Sequence, residues 1–168
     1  MDWIVMFMSN WETYFPLYVS MNLSEKAYLE PSPSVRHMLR VMSIEALLSS
    51  ETVYGKRIMP RILKLLGGKD LYAQYESDIQ CLPTLICDET LLDQIFTARK
   101  KIGHGDRMPR EWVKKHGRQG SERSLCYADM LTEAATSIVS LLWQHILNER
   151  LQETFADKAK LEAYLQTL

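Results

Sequence analysis

From Leu131 to Ile146 apolar residues return at helical spacing: Leu131, Ala134, Ala135, Ile138, Leu141, Leu142 and Ile146. Residues three and four apart share one side of an α-helix, so this run predicts a long helix with a continuous buried face. The same period recurs upstream. Val35, Met38, Leu39, Met42 and Ala46 form one face, with Glu45 at its border. Ile58, Ile62, Leu65 and Leu66 form another, stopped by Gly67-Gly68. Leu91, Leu92, Ile95, Phe96 and Ile102 form a third, with Asp88 as its N-terminal cap. No apolar–polar alternation announces a strand. The expected fold class is therefore all-α, a helical bundle of five to seven helices.

The breakers divide this pattern. Ser9 and Glu12 stand at capping-box spacing at the head of a first helix, which Pro16 kinks or shortens. Pro31 to Ser34 is a clear break, with Ser34 as the next expected cap. Pro60 predicts a kink inside a helix from about Thr52 to Leu66. A short helix is expected near 70–80, a long one from Ser121 to about Asn148, and a last one from Glu153. Residues 1–33 read as an N-terminal helical segment packing on the bundle, and residues 34–168 as the helical domain proper. A length of 168 residues suits one compact domain with a single core.

No apolar run reaches the ~20 residues of a membrane span. The start, MDWIVMFMSNW, lacks the basic flank and cleavage site of a secretory signal. Cys81, Cys87 and Cys126 are odd in number and fit no common zinc spacing, so they read as free thiols of a cytoplasmic protein. No metal site, cofactor or membrane association is expected.

Charge is uneven. Between Arg99 and Arg123 stand nine basic residues, Arg99, Lys100, Lys101, Arg107, Arg110, Lys114, Lys115, Arg118 and Arg123. Three acids interrupt them, which leaves +6 here and −7 on the rest of a chain whose total is −1. A basic block on an acidic protein fits a local polyanion site, and a solvated loop is the plain alternative.

That block opens with TARKKIGHGDR. Leu92, Ile95, Arg99 and Ile102 fall on one stripe, so Arg99 is expected to face inward or into a seam. A guanidinium there needs an acid or other acceptors. His104 follows between Gly103 and Gly105, which let the chain turn and give a ligand close approach. Arginine clamps phosphate and histidine moves a proton near neutral pH. The pair suits RNA cleavage by attack of the 2′-hydroxyl, which needs a base, an acid and stabilisation of the charged phosphorane. One histidine per chain leaves that set half complete, and a two-fold homodimer would bring two copies to one cleft.

FTARKKIGHG resembles the R-x-x-x-x-H signature of HEPN domains, an all-α family found in bacterial RNases, toxins and phage-defence systems. SVRHMLRVMSIEALLSS is similar to the upstream HEPN helix that carries a glutamate, and KRIMPRILKLLGG to the helix after it in a defence-associated branch. The likeness covers roughly Ser34 to Ile146. It implies a metal-independent endoribonuclease, a hydrolase acting as a homodimer in antiviral defence or abortive infection. Arg99 and His104 match the signature, and Glu45 follows as an acid that pairs with or orients Arg99. Lys100, Lys101, Arg107, Arg110, Lys114 and Lys115 would guide RNA. Lys100 departs from the Asn, Asp or His common after the arginine in catalytic members. The rival reading is a noncatalytic HEPN-type module that dimerises, binds nucleic acid or nucleotide, or regulates a partner domain; an N-terminal sensor domain or a partner protein is a further expected partner. A DNA-binding helix-turn-helix fits less well, since the basic block lacks a short turn between two helices. His37 is expected on a helix surface or interface, His145 packed, His116 in a loop, and Trp112 either stacking a base or anchoring that loop.

Overall fold

The computed structural model describes residues 9–73, 84–106, 112–116 and 122–168, with 112–116 and 122–127 given by their backbone alone. Among them the elements are α1 (Phe15–Leu29), α2 (Pro33–Leu48), a 3-10 turn (Gly55–Ile58), α3 (Met59–Leu66) and α4 (Glu89–Gly103), followed by β1 (Trp112–His116), β2 (Glu122–Cys126), α5 (Tyr127–Asn148), α6 (Gln152–Ala156) and α7 (Lys158–Thr167). The molecule is mostly helical, as its apolar period requires.

Three helices begin on a proline rather than being broken by one. Pro16, Pro33 and Pro60 occupy the first turns of α1, α2 and α3. The first-turn N–H has no intrahelical partner, so proline costs nothing there and its fixed φ suits the helix. The kinks expected at Pro16 and Pro60 are therefore helix starts. Ser9 lies upstream of α1 and does not cap it, and the residue before α1 is Tyr14. The cap of α2 is Ser32, whose side chain accepts from the Val35 N–H, not Ser34. Asp88 caps α4 as expected, accepting from the Leu91 N–H at 2.7 Å. Gly67 ends α3, also as expected. The last helix is two, because Asp157 leaves helical geometry and caps α7 through the Ala159 and Lys160 N–H groups. Most of the short helix expected near 70–80 lies outside the described residues. Its described start is a turn in which Asp70 pairs with Ile86.

The core centres on α2, which packs against α1, α4, α5, α6 and the 3-10 turn. Its deepest line is His37, Val41, Ile44 and Leu48, at spacings of four, three and four. The face expected from Val35, Met38, Leu39, Met42 and Ala46 is only partly buried. The difference is one of helical phase: a helix with neighbours on several sides has no purely apolar face to read. His37 heads the buried line, fully enclosed, with Nε2 3.0 Å from the Ile95 carbonyl. It is a core histidine joining α2 to α4, not a surface one. Ser20 and Ser43 are also fully buried and bonded at 2.8 Å, so α1 and α2 meet through small hydroxyls. The stripes on α3 and α5 are buried nearly as expected, Leu141 only in part. His145 is packed and meets the Tyr164 hydroxyl at 2.8 Å. Among the described residues no helix is long and apolar enough to cross a membrane.

The basic segment adds what the helical period does not announce. Trp112–His116 and Glu122–Cys126 pair antiparallel, with Lys114 opposite Ser124 and Lys115 opposite Arg123. The second strand of this antiparallel pair runs directly into α5, where the sequence predicts a loop and an earlier helix start.

Candidate functional site

The C-terminal half of α4 and the 3-10 turn face each other across a cleft of about 570 Å³. That is within the usual range for small-ligand sites, ~300–1,000 Å³. Its walls are Tyr54, Gly55, Lys56 and Arg57 on one side and Phe96, Thr97, Arg99 and Lys100 on the other. Four of these eight are cations.

Arg99 sits where the stripe of α4 meets the seam with α2. Its Nη2 donates to Glu45 Oε2 at 3.0 Å, with the side chains 38% and 15% exposed. The acid is thus largely shielded while the guanidinium keeps an open side. Glu45 takes only part of the group's donor capacity, and the Arg99 Nε–H, which is buried, has no acceptor among the described residues. Three elements converge here. α2 supplies Glu45, α4 supplies Arg99, and the 3-10 turn brings Gly55 close enough that a side-chain carbon there would stand 4.0 Å from Glu45 Oε1.

The opposite wall owes its shape to Gly55. Tyr54 is extended and Gly55 has φ of 57°, a left-handed conformation that costs other residues about 1–2 kcal/mol. Two cations follow it. Lys56 meets Asp93 of α4 at 2.5 Å, an exposed pair whose lysine holds the aspartate carboxyl below its usual range. The Arg57 guanidinium lies 5.7 Å from the centre of the Tyr54 ring and donates to the Thr52 carbonyl at 3.2 Å.

His104 is placed by the end of α4. Its own N–H reaches the Lys100 and Lys101 carbonyls at 3.2 and 3.0 Å. Gly105, with φ of 89°, follows it. The Gly105 N–H bonds the Ile102 carbonyl at 2.9 Å and the Asp106 N–H bonds the Lys101 carbonyl at 3.0 Å. These two bonds close a helix through a left-handed glycine and leave His104 as its C-terminal cap residue. The imidazole is exposed, and His104 is not among the residues lining the cleft.

Of the residues singled out from the sequence, the fold thus joins Glu45 with Arg99 and places Lys100 on the same cleft. Lys101 is exposed on the last turn of α4 and does not line it. Arg107 and Arg110 lie outside the described residues, and Lys114 and Lys115 belong to β1. Tyr54, Lys56 and Arg57 were missed. A Tyr-Gly-Lys-Arg run between two helices is the signal that could have found them, since glycine marks a sharp turn that presents its neighbours. Cys87 is buried, and burial pushes its thiol up to about 11, an inert group. Cys81 lies outside the described residues, as does the Cys126 side chain. Comparison with known proteins finds no matching family model, no matching curated protein and no matching solved structure.

Proposed function

We propose that this chain is a metal-independent endoribonuclease of HEPN type, active as a homodimer. The observation that carries the reading is Arg99, held by Glu45 yet open to a cleft whose other cations are Lys56, Arg57 and Lys100. A carboxylate that fixes a guanidinium without saturating it leaves planar donors for a phosphate. In the proposed reaction a base takes the proton of the RNA 2′-hydroxyl and the oxygen attacks the adjacent phosphorus. The bond to the 5′-oxygen breaks and an acid protonates that oxygen, leaving a 2′,3′-cyclic phosphate and a 5′-hydroxyl. Arg99 stabilises the charge on the phosphorane. His104 of each protomer serves as base or acid, so the exposed position of that side chain fits a site completed by a second copy. The setting proposed is bacterial antiviral defence or toxin-like RNA degradation, on the resemblance of FTARKKIGHG alone.

The test is cleavage of single-stranded RNA by purified protein in excess chelator. Wild type is expected to cut and His104→Ala to lose nearly all activity. Full activity in His104→Ala, or strict dependence on a divalent metal, would sink the assignment. One observation favours a second reading, a noncatalytic module that binds nucleic acid or nucleotide: His104 lies outside the cleft that holds Arg99. That reading prevails if RNA binds, stays intact, and is released steeply by salt.

A further inference from the structure

Two aromatic residues line the cleft, and they differ. Phe96 is 2% exposed and belongs to the core, whereas Tyr54 is 61% exposed. A single exposed aromatic ring is ordinary on a protein surface. This one stands beside Lys56 and Arg57, across from Arg99 and Lys100, on a turn built by a left-handed glycine. Arg57 holds its cation over the Tyr54 ring and spends one donor on the Thr52 carbonyl, and a guanidinium carries five. Lys56 is engaged in an exposed ion pair with Asp93, a kind of contact worth little and readily exchanged for a phosphate.

We infer that Tyr54, Lys56 and Arg57 form a nucleotide subsite next to the Arg99 phosphate site, in which Tyr54 stacks a base and the two cations hold the adjoining phosphate. The inference rests on the polynucleotide reading of the cleft and adds a positioning role that Arg99 and His104 do not cover. Stacking accepts any base, because every base has a π-face, so the subsite sets the path of the strand rather than its sequence. It requires an unpaired base, which a duplex does not present.

The probes are a hexathymidylate, which lacks the 2′-hydroxyl and so cannot be cut by this chemistry, and a deoxyribose-phosphate hexamer without bases. Tyr54→Ala is expected to weaken hexathymidylate binding about 5- to 150-fold and to leave the abasic hexamer unchanged. Tyr54→Phe should restore it. Arg57→Gln should weaken both probes and flatten the salt dependence by about 0.7 in log–log slope. Thermal melting of each variant checks that the fold is kept. The subsite is overturned if wild type ignores hexathymidylate, if Tyr54→Ala binds it as well as wild type does, or if that variant loses both probes equally. The nuclease reading fails separately. Tyr54-dependent binding with intact RNA removes the cleavage and keeps the subsite. Cleaved RNA with Tyr54-independent binding does the reverse.

Discussion

Arg61 on α3 and Arg99 on α4 both sit among apolar neighbours, and both reach a carboxylate. Arg61 is 7% exposed; it bonds the Leu48 carbonyl, the Ser50 hydroxyl and Glu162 of α7. Lys158 lies nearby and donates to the Ala46 and Leu47 carbonyls at 3.0 and 3.5 Å. The two cations thus close the C-terminal end of α2, where the last carbonyls have no intrahelical partner. Burial and the neighbouring Arg61 push the Lys158 ammonium down to about 8. Arg99, by contrast, pairs with Glu45 and keeps an open side. The comparison separates two uses of an inward arginine. One is enclosed and completes a helix end; the other is held in place and left with donors to spend.

Mutation can break that contrast. The largest expected effect is on His104→Ala, whose RNA cleavage should fall about 10²–10⁴-fold, since positioned acid–base catalysis contributes that much. Arg99→Ala follows, with a loss of about 10²–10³-fold in the cleavage rate, the usual cost of removing one charge-stabilising donor. Its melting temperature should fall modestly, because the largely shielded Glu45 carboxylate loses its partner, with a cleavage loss far beyond what that explains. Arg61→Ala should show the opposite pattern. It strands the Leu48 carbonyl and is expected to cost about 1–3 kcal/mol in urea unfolding, with unchanged cleavage per folded molecule. If Arg61→Ala lost activity at full folding, or the activity loss of Arg99→Ala were fully explained by unfolding, the distinction between the two arginines would be gone. Gly105→Ala is a smaller probe. It should cost about 1–2 kcal/mol and reduce cleavage further than its stability loss explains, because the cap that places His104 is strained.

The gentlest probe is pH. Burial holds the His37 imidazole below its usual value, partly opposed by its bond to the Ile95 carbonyl. A depressed folded-state value means that the unfolded chain binds the proton first as pH falls. The stability His37 contributes is therefore complete above about pH 6.5 and is lost as pH drops through its folded value. Urea unfolding from pH 7.5 to 5 should show decreasing stability. His37→Gln should flatten that slope in part. His145, which burial and the charge of Lys69 lower in the same direction, adds to the remainder. An unchanged slope in His37→Gln would remove the buried histidine from the account.

Much of the architecture was legible because it depends on local chemistry. Asp88 announced its helix by its own side chain, Gly67 ended one by having none, and the stripe of α5 needed no partner to be read. The inward placement of Arg99 was legible for the same reason, since it follows from position on a helix, whereas its meeting with Glu45 was expected only from the family resemblance. What escaped depends on neighbours. The buried line of α2 starts with a histidine, which only the Ile95 carbonyl makes acceptable inside. The strands Trp112–His116 and Glu122–Cys126 are held by pairing with each other, so helical periodicity does not detect them. Lys56 and Arg57 gain meaning only from facing α4 across a gap that no sequence window spans.

The Ile95 carbonyl that receives His37 is, by the helical i to i+4 rule, also the acceptor of the Arg99 amide. α2 therefore grips α4 twice, by His37 at the backbone beneath Arg99 and by Glu45 at its guanidinium. Two attachments at different heights fix both the axial slide and the rotation of one helix against the other. The pair is the anvil of the cleft, and the short wall from Tyr54 to Arg57 is the side on which its width is set.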